Sequence, residues 1–322
     1  MPSASQKAAA IAQKINYRLE RLIPVTTPLG IIAGLLLPAF FINFRPYVPW
    51  LFAVITFSGA LKLRASELTD VLRKPLSILL VFVCSHVIMP AAAMFSSSAF
   101  FSNTDIVAGF VLLFAGPTAV SGFIWVIIFR GNKALALTLI LLDTLLAPLV
   151  VPLTLSLLIG EKTALDMGGI TFSLVMMIVV PTIIGVAVNE TSRRKIPLVV
   201  SPYLDPFSKL CLLLVIAANA SSLASMVRFT DPIVWKTAAV CIILTTAGFL
   251  LVKTVTVIGK IDKDNAIGMI FSGGLRNNSA VMTIAVTFFP EAAALPSLLS
   301  IMFQHVIAAI VGNIITRKKN LQ

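Results

Sequence analysis

Ten apolar stretches follow one another along the chain, separated by short segments that carry charge, proline or glycine. A helix needs about 20 predominantly apolar residues to cross the hydrocarbon core of a bilayer. The stretches cover residues 25–44, 49–63, 75–97, 104–129, 134–158, 167–189, 206–226, 232–257, 264–289 and 295–316. We therefore predict an all-α integral membrane protein with ten transmembrane helices.

The composition supports this class and gives the predicted helices an orientation. Hydrophobic residues make up 58% of the chain and charged residues 12%, whereas soluble domains carry about 25% charged residues. Of the 25 basic residues, 18 fall in segments on one side of the predicted membrane and four on the other. Because basic residues collect in cytoplasmic loops, the sequence predicts a multi-pass protein of the cell (inner) membrane with both termini cytoplasmic. The net charge of +12 thus reflects membrane orientation, and we expect membrane lipid around the protein but neither nucleic acid nor an obligate protein partner.

Ten spans can form two halves of five, and an odd number per half inverts the second half in the membrane. We therefore expect an inverted 5+5 repeat. The predicted parts are a cytoplasmic N-terminal segment (1–24), a first repeat (25–158), an external loop (159–166), a second repeat (167–316) and a cytoplasmic tail (317–322).

Glycine interrupts the fourth and ninth spans at corresponding places in the two halves. Gly116 precedes Pro117 in the fourth span, and Gly273 precedes Gly274 in the ninth. Unwound backbone at membrane depth occurs where it is buried in protein or lines a cavity, although glycines can also serve close helix packing. Polar residues follow both interruptions, and we take them as candidate substrate-binding residues: Thr118, Ser121, Asn277, Asn278 and Ser279.

Four ionisable residues lie at one predicted depth. At 1.5 Å per residue, Asp143, Arg276, His86 and His305 are about 16–18 Å from the cytoplasmic ends of their spans, which suggests a shared polar centre. Charges there are costly and need partners, so we expect Arg276 to pair with Asp143. The pair could be a structural salt bridge, an anion-binding arginine, a tethered cation in place of a metal ion, or a proton-titrating aspartate. Each histidine could bind substrate, shuttle protons or be an interior residue with satisfied hydrogen bonds.

Several short motifs resemble the bile acid:sodium symporter family over essentially the whole chain. They are ITFSGALKL at 55–63, VIMP at 87–90, GPTA at 116–119, RGNKALA at 130–136, LLAP at 145–148, GGLRNN at 273–278, and His305. The resemblance implies a core domain in which the interrupted helices cross. It also implies a panel domain made of the first, second, sixth and seventh spans, and alternating access.

The sodium ligands that the resemblance implies are poorly kept. Their positions fall on Ser85, Ser121, Ala136, Ile140, Ser272 and Arg276. Sodium needs a cage of oxygen ligands, like other hard cations, and a guanidinium would repel it. We therefore expect that at least one sodium site is lost, with Arg276 supplying its charge and Asp143 balancing that charge, and we expect no other cofactor.

These observations predict a secondary active transporter of a small organic anion. The candidate substrate-binding residues include His305, while Arg276 and Asp143 would serve charge compensation or coupling. A proton-coupled transporter or an uncoupled exchanger is an alternative, and from other classes an ion channel or an intramembrane enzyme. We expect no enzyme, because adjacent Ser85 and His86 point about 100° apart on a helix and form no nucleophile–base pair by themselves.

Overall fold

The computed structural model describes residues 26–63, 75–160, 166–228 and 230–317, together with Ile11, Ala12, Lys14, Asn16 and Leu19. The described residues are helical apart from short connections, with a single isolated β-bridge. The helices are α1 (Thr26–Leu36), α2 (Pro38–Ala60), α3 (Pro75–Phe100), α4 (Thr104–Ala115), α5 (Gly122–Ile128), α6 (Lys133–Ile159), α7 (Met167–Thr191), α8 (Lys195–Ser221), α9 (Pro232–Ile258), α10 (Lys263–Gly274), α11 (Asn278–Phe288) and α12 (Leu295–Arg317).

Among the described helices, seven are long and apolar enough to cross a membrane. They are α2, α3, α6, α7, α8, α9 and the helical stretch Glu291–Ile315 that contains most of α12. Shorter apolar helices are α1, α4 and α11. Between 11% and 56% of the residues in the seven apolar windows are buried inside the protein, so much of their apolar surface is left for lipid. The protein is therefore an integral membrane protein.

The chain divides into two compact units. The first holds the described residues within Met1–Ser66 and Ser173–Ala224, and the second those within Glu67–Phe172 and Ser225–Gln322. The first unit thus contains α1, α2, most of α7, and α8, which correspond to the first, second, sixth and seventh predicted spans. The second unit contains the two interrupted helices.

In the first unit, polar side chains join neighbouring helices. Asp205 of α8 lies 2.8 Å from the Lys62 ammonium and accepts a 3.0 Å hydrogen bond from the Ser58 hydroxyl. The side-chain amide of Asn189 in α7 donates to the carbonyl of Leu63, just after α2, at 2.7 Å. These contacts satisfy polar groups that lipid could not.

Prolines change two of the predicted boundaries. The predicted first span ends early, because α1 stops before Pro38 and α2 continues to Ala60 through a 3₁₀ stretch, Ile42–Tyr47, that accommodates Pro46. The seventh span, predicted to begin at Pro206, begins at Lys195 with both Pro202 and Pro206 inside the helix. Proline removes one hydrogen bond without ending the helix here. The predicted terminal segments and external loop lie largely outside the described residues.

The core of the second unit surrounds the two interruptions. Phe271 of α10 and Leu135 and Leu139 of α6 are fully buried in one cluster with Phe249 of α9. Asn132 and Asp262 cap α6 and α10 by accepting hydrogen bonds from Leu135 and Asn265 backbone amides. The caps and the cluster fix both helices on either side of the crossing.

Candidate functional site at the crossing of two interrupted helices

The two interruptions meet in an antiparallel bridge between Thr118 and Arg276. The Ala119 amide donates to the carbonyl of Leu275 at 3.1 Å, and the Asn277 amide donates to the carbonyl of Pro117 at 2.8 Å. Unwound backbone inside a membrane protein must find partners, and here each segment supplies them for the other.

Glycine at both interruptions allows this close approach. A Cβ atom on Gly116 would lie 2.2 Å from a methyl of Val281, and one on Gly274 would lie 2.4 Å from the ring of Phe249. Neither distance is possible for a real side chain. A larger residue at Gly116 or Gly274 would therefore displace the Val281 or Phe249 side chain.

Asp143 projects from α6 into the crossing, where it is almost completely buried. Its Oδ2 accepts hydrogen bonds from the Thr118 amide at 2.7 Å and the Thr118 hydroxyl at 2.5 Å. Its Oδ1 lies 2.6 Å from Nε2 of His86. Arg276 is more distant, with Nη1 3.9 Å from Oδ2. The expected Asp143–Arg276 pair thus exists, but His86 makes the shorter contact.

The guanidinium of Arg276 is held mainly by backbone carbonyls. Nη2 donates to the carbonyl of Gly273 at 2.9 Å and Nη1 to that of Gly116 at 3.4 Å. These carbonyls lie at the C-terminal ends of α10 and α4, where the helix dipole favours a cation. Arg276 therefore places a fixed positive charge where both interrupted helices present their negative ends.

Thr118 links the two interrupted helices through its hydroxyl. Oγ1 lies 2.5 Å from Oδ2 of Asp143 and 2.9 Å from the backbone carbonyl of Ser272 in α10. A hydroxyl carries one hydrogen, so it donates to only one of these acceptors at a time. The Asp143 carboxylate and the Ser272 carbonyl therefore compete for the single hydrogen of Thr118.

His86 belongs to a π-helical segment, Cys84–Ile88, within α3. Such bulges change the direction of side chains and are frequent at functional sites. Nδ1 of His86 is buried and has no hydrogen-bond partner within the described ranges, and the same holds for the hydroxyls of Ser85 and Ser272. Because neither Nδ1 of His86 nor the Ser85 hydroxyl has a partner there, these two side chains do not hydrogen-bond to each other and are not arranged as a nucleophile and its base.

His305 lies apart from this group, although it was predicted at the same depth. Nε1 of Trp125 donates to its Nδ1 at 3.2 Å, and the two rings stack at 6.3 Å. Trp125 also stacks against Phe129 and Phe271. The structure therefore brings three of the four ionisable residues together and places His305 in an aromatic cluster.

The remaining candidate residues lie around the start of α11 and of α5. Asn277 is the N-cap of α11, accepting a bond from the Ala280 amide at 3.3 Å. Asn278 is buried with its amide 2.8 Å from the Ser300 hydroxyl of α12. Ser121, Asn277 and Ser279 are partly accessible. Three of the five polar residues thus keep an open surface, while Thr118 and Asn278 are engaged within the protein.

The side chains at the positions of the implied sodium ligands are apolar, positively charged or hydroxyl-bearing. Ala136 and Ile140 are fully buried and apolar, and Arg276 carries a positive charge. Hydroxyl oxygens remain at Ser85, Ser121 and Ser272. A hard cation prefers carboxylate and carbonyl oxygens, and the carbonyls of Gly116 and Gly273 already accept from Arg276. This donor set does not suit a sodium ion.

The predicted site residues included neither His86 nor Trp125. His86 carried one usable signal, its depth equal to that of Asp143. Trp125 carried none, because a tryptophan in an apolar run is indistinguishable from a lipid-facing residue.

Comparisons with known proteins find one matching family model and several similar proteins. The model of the family described as "Sodium Bile acid symporter family" matches residues 48–230. The chain is 35% identical over 296 residues to "Uncharacterized protein YbaS" of Bacillus subtilis (strain 168), covering 92% of this chain and 97% of that protein. It is 22% identical to "Uncharacterized sodium-dependent transporter YocS" of the same organism, covering 89% and 88% of the two chains. It is also 24% identical to "Probable sodium/metabolite cotransporter BASS1, chloroplastic" of Arabidopsis thaliana, over 60% of this chain and 48% of that one.

Proposed function

Because the chain belongs to the sodium bile acid symporter family, we propose that it is a secondary active transporter that moves a small organic anion by alternating access. The names of two relatives, a sodium-dependent transporter and a probable sodium/metabolite cotransporter, support transport of a small solute. An anion is favoured because the buried crossing carries a fixed cation, Arg276.

The proposed layout has ten membrane crossings. In this layout α4 with α5 forms one crossing and α10 with α11 another, and the two halves, 25–158 and 167–316, form an inverted repeat. Both termini would then be cytoplasmic in the cell (inner) membrane. The glycine-interrupted helices, each followed by polar residues, are the features of secondary transporters with inverted repeats.

One observation carries the assignment of roles, namely that Arg276 donates to carbonyls of both interrupted helices. A bound sodium ion would provide a positive charge that must enter and leave with each cycle. Arg276 provides the same sign of charge permanently, with Asp143 as its counter-ion. We therefore assign to this pair charge compensation at the crossing, and we expect transport that does not require sodium.

The accessible polar residues are the proposed contacts for the anion. Ser121, Asn277 and Ser279 offer hydroxyl and amide groups beside the crossing, while Thr118 and Asn278 shape the backbone that presents them. His305 is proposed to line the periphery, oriented by Trp125.

The test is uptake by the purified protein in proteoliposomes. Two probes that cross lipid poorly, radiolabelled taurocholate and gluconate, represent sulfonates and carboxylates. We expect uptake of at least one probe with potassium replacing sodium on both sides. Replacing Arg276 with Ala should lower that uptake by about tenfold or more. The free-energy effect of removing a buried charge exceeds about 1.4 kcal/mol, which corresponds to a factor of ten. Arg228→Ala, a change of an exposed arginine, should leave uptake unchanged.

Three results would contradict the proposal. Uptake by Arg276→Ala equal to that of the unaltered protein would remove the role of Arg276. Uptake that occurs only with a sodium gradient would show that sodium coupling is retained. Single-channel currents carried by the probes would identify a channel in place of a transporter.

A further inference from the structure

We propose that His86 and Asp143 together form the proton-binding site of this transporter, and that the Thr118 hydroxyl connects this site to the crossing of the interrupted helices. This inference rests on the proposed function and names its coupling ion. It makes the protein an anion–proton symporter in a family named for sodium.

The geometry of the pair provides one open position for a proton. Nε2 of His86 donates its hydrogen to Oδ1 of Asp143 at 2.6 Å, so the histidine is held in a single tautomer when neutral. Nδ1 then carries a lone pair and has no partner within the described part of the chain. Proton binding at Nδ1 converts neutral His86 into an imidazolium that remains bonded to the Asp143 carboxylate. Only an N–H bond forms in this step, made with the Nδ1 lone pair by a proton that enters with the substrate.

The charge balance at the crossing explains why a proton and an anion would bind together. With His86 neutral, the charges of Asp143 and Arg276 cancel. A monoanion alone would leave a net charge of −1 in a buried site, and a proton alone would leave +1. Net charge at membrane depth is costly, so each ligand favours the other, and this mutual effect is the basis of coupling.

Thr118 gives the protonation state a structural consequence. While His86 is neutral, the negative charge of Asp143 makes Oδ2, 2.5 Å away, the better acceptor for the hydroxyl. When the adjacent imidazolium compensates that charge, the carbonyl of Ser272, at 2.9 Å, competes better for the same hydrogen. Ser272 precedes Gly273, whose carbonyl binds Arg276. Protonation thereby changes a hydrogen bond between the two interrupted helices.

On the described helices packed against the pair, the other charged residues lie within the first or last two turns. Lys133 is ten residues before Asp143 on α6, a distance of about 15 Å along the helix. Asp105 and Lys263 lie in the first turns of α4 and α10. The ionisable residues on the elements packed against the pair are Cys84, Asp105, Lys133, Lys236, Cys241, Lys253, Lys263, Asp264 and Arg276.

Infrared difference spectroscopy tests the proton site without requiring transport. Spectra of the lipid-reconstituted protein at pH 8 and at lower pH should differ by bands of a carboxylate and an imidazole. Both bands should be absent in His86→Asn, whose amide can still donate to Asp143, and the carboxylate band should be absent in the double variant Asp143→Asn/Arg276→Gln. They should shift in Thr118→Val and return to their original frequency in Thr118→Ser, whereas Asp264→Asn, which changes an exposed acid, should leave them unchanged.

The coupling itself is tested in the same proteoliposomes with taurocholate and gluconate. Taurocholate keeps its charge throughout the pH range, so its uptake reports on the protein. An inward gradient of one pH unit should increase accumulation by about tenfold, since one proton accompanies each monoanion. His86→Asn should lose this response and Thr118→Val should weaken it, while Thr118→Ser retains it.

The two proposals fail in different ways. If neither probe is taken up but the infrared bands behave as described, the proton site stands and the proposed substrate class is wrong. If probe uptake is normal and independent of the pH gradient, the transporter assignment stands and proton coupling is wrong. A wild-type difference spectrum identical to that of His86→Asn would overturn the proton site in either case.

Discussion

Arg276 and Asp143 lie with Nη1 and Oδ2 3.9 Å apart in the buried crossing, a separation that gives charge attraction but no strong hydrogen bond. Each has closer partners of its own. Arg276 donates to Gly273 at 2.9 Å, and Asp143 accepts from Thr118 at 2.7 Å through the backbone amide. The two residues therefore interact through their opposite charges, whereas their hydrogen bonds are made with other groups.

Because the two charges compensate each other, removing one of them should destabilise the protein more than removing both. Asp143→Asn leaves the buried guanidinium without its counter-ion, and breaking a buried pair in this way costs about 3–5 kcal/mol. We expect a clear fall in the melting temperature of the detergent-solubilised protein. The double variant Asp143→Asn/Arg276→Gln should recover much of the loss, because no charge is then unpaired.

The control for this cycle is Asp264→Asn, which removes an exposed acid on α10 and should not change the melting temperature. If the double variant melts as low as Asp143→Asn, the interaction is not one of charge compensation. The loss would then arise from the hydrogen bonds that Asp143 accepts from Thr118.

The sequence made much of the architecture predictable because the signals were local. Apolar run length located the helices, and glycine in two of them located the interruptions at Gly116 and Gly273. The pairing of His86 with Asp143 was not predictable in the same way. Depth along a helix fixes one coordinate of a side chain, whereas its direction depends on rotation about the helix axis.

His305 illustrates this limit. It has the same predicted depth as His86 but contacts Trp125, whereas His86 contacts Asp143. The π-helical segment Cys84–Ile88 also changes the direction of the side chains, and the spacing of apolar residues does not predict this change. Sequence reasoning could therefore group residues by depth, and the three-dimensional structure was needed to decide which of them meet.

The ten-crossing layout predicts opposite exposure of two positions that flank α4 and α5. Ser102 precedes α4 and Lys133 begins α6, and both side chains are exposed. The native thiols of Cys84, Cys211 and Cys241 are buried, so they give little background. In intact cells, a membrane-impermeant maleimide should label Ser102→Cys but not Lys133→Cys.

Permeabilised cells provide the matching control, because both cysteines should then react. Labelling of both positions in intact cells would mean that α4 and α5 enter and leave the membrane on the same side. The inverted repeat would then be wrong, since it requires this pair of helices to form one crossing.

Because α4 packs closely against its neighbours, replacing Gly109 with a larger residue should strongly destabilise the protein. A Cβ atom there would lie 2.2 Å from the backbone carbonyl of Ala293, an atom that cannot move aside like a flexible side chain. We expect Gly109→Ala to cost about 1–3 kcal/mol, as overpacking does in other well-packed interiors, and to lower the melting temperature. Gly248→Ala is the matched control, because its Cβ would meet the Met89 side chain at an ordinary 3.5 Å. Equal melting temperatures for the two variants would contradict the close approach of α4 to Ala293.

In the first unit, one hydrogen bond of Asn189 should contribute measurably to the stability of the protein. Its amide donates to the carbonyl of Leu63 at 2.7 Å in a buried position. Asn189→Ala leaves that carbonyl without its donor, a loss of about 1–3 kcal/mol for a buried acceptor. Asn189→Asp should be at least as harmful, because a carboxylate of nearly the same shape replaces the donor with a second acceptor.

Asn43→Ala removes an exposed amide that bonds to carbonyls of its own helix, and it should be close to neutral. The order of melting temperatures should therefore be Asn43→Ala above Asn189→Ala, with Asn189→Asp equal to or below the latter. A more stable Asn189→Asp variant would show that shape, and not the donated hydrogen, is what this position supplies.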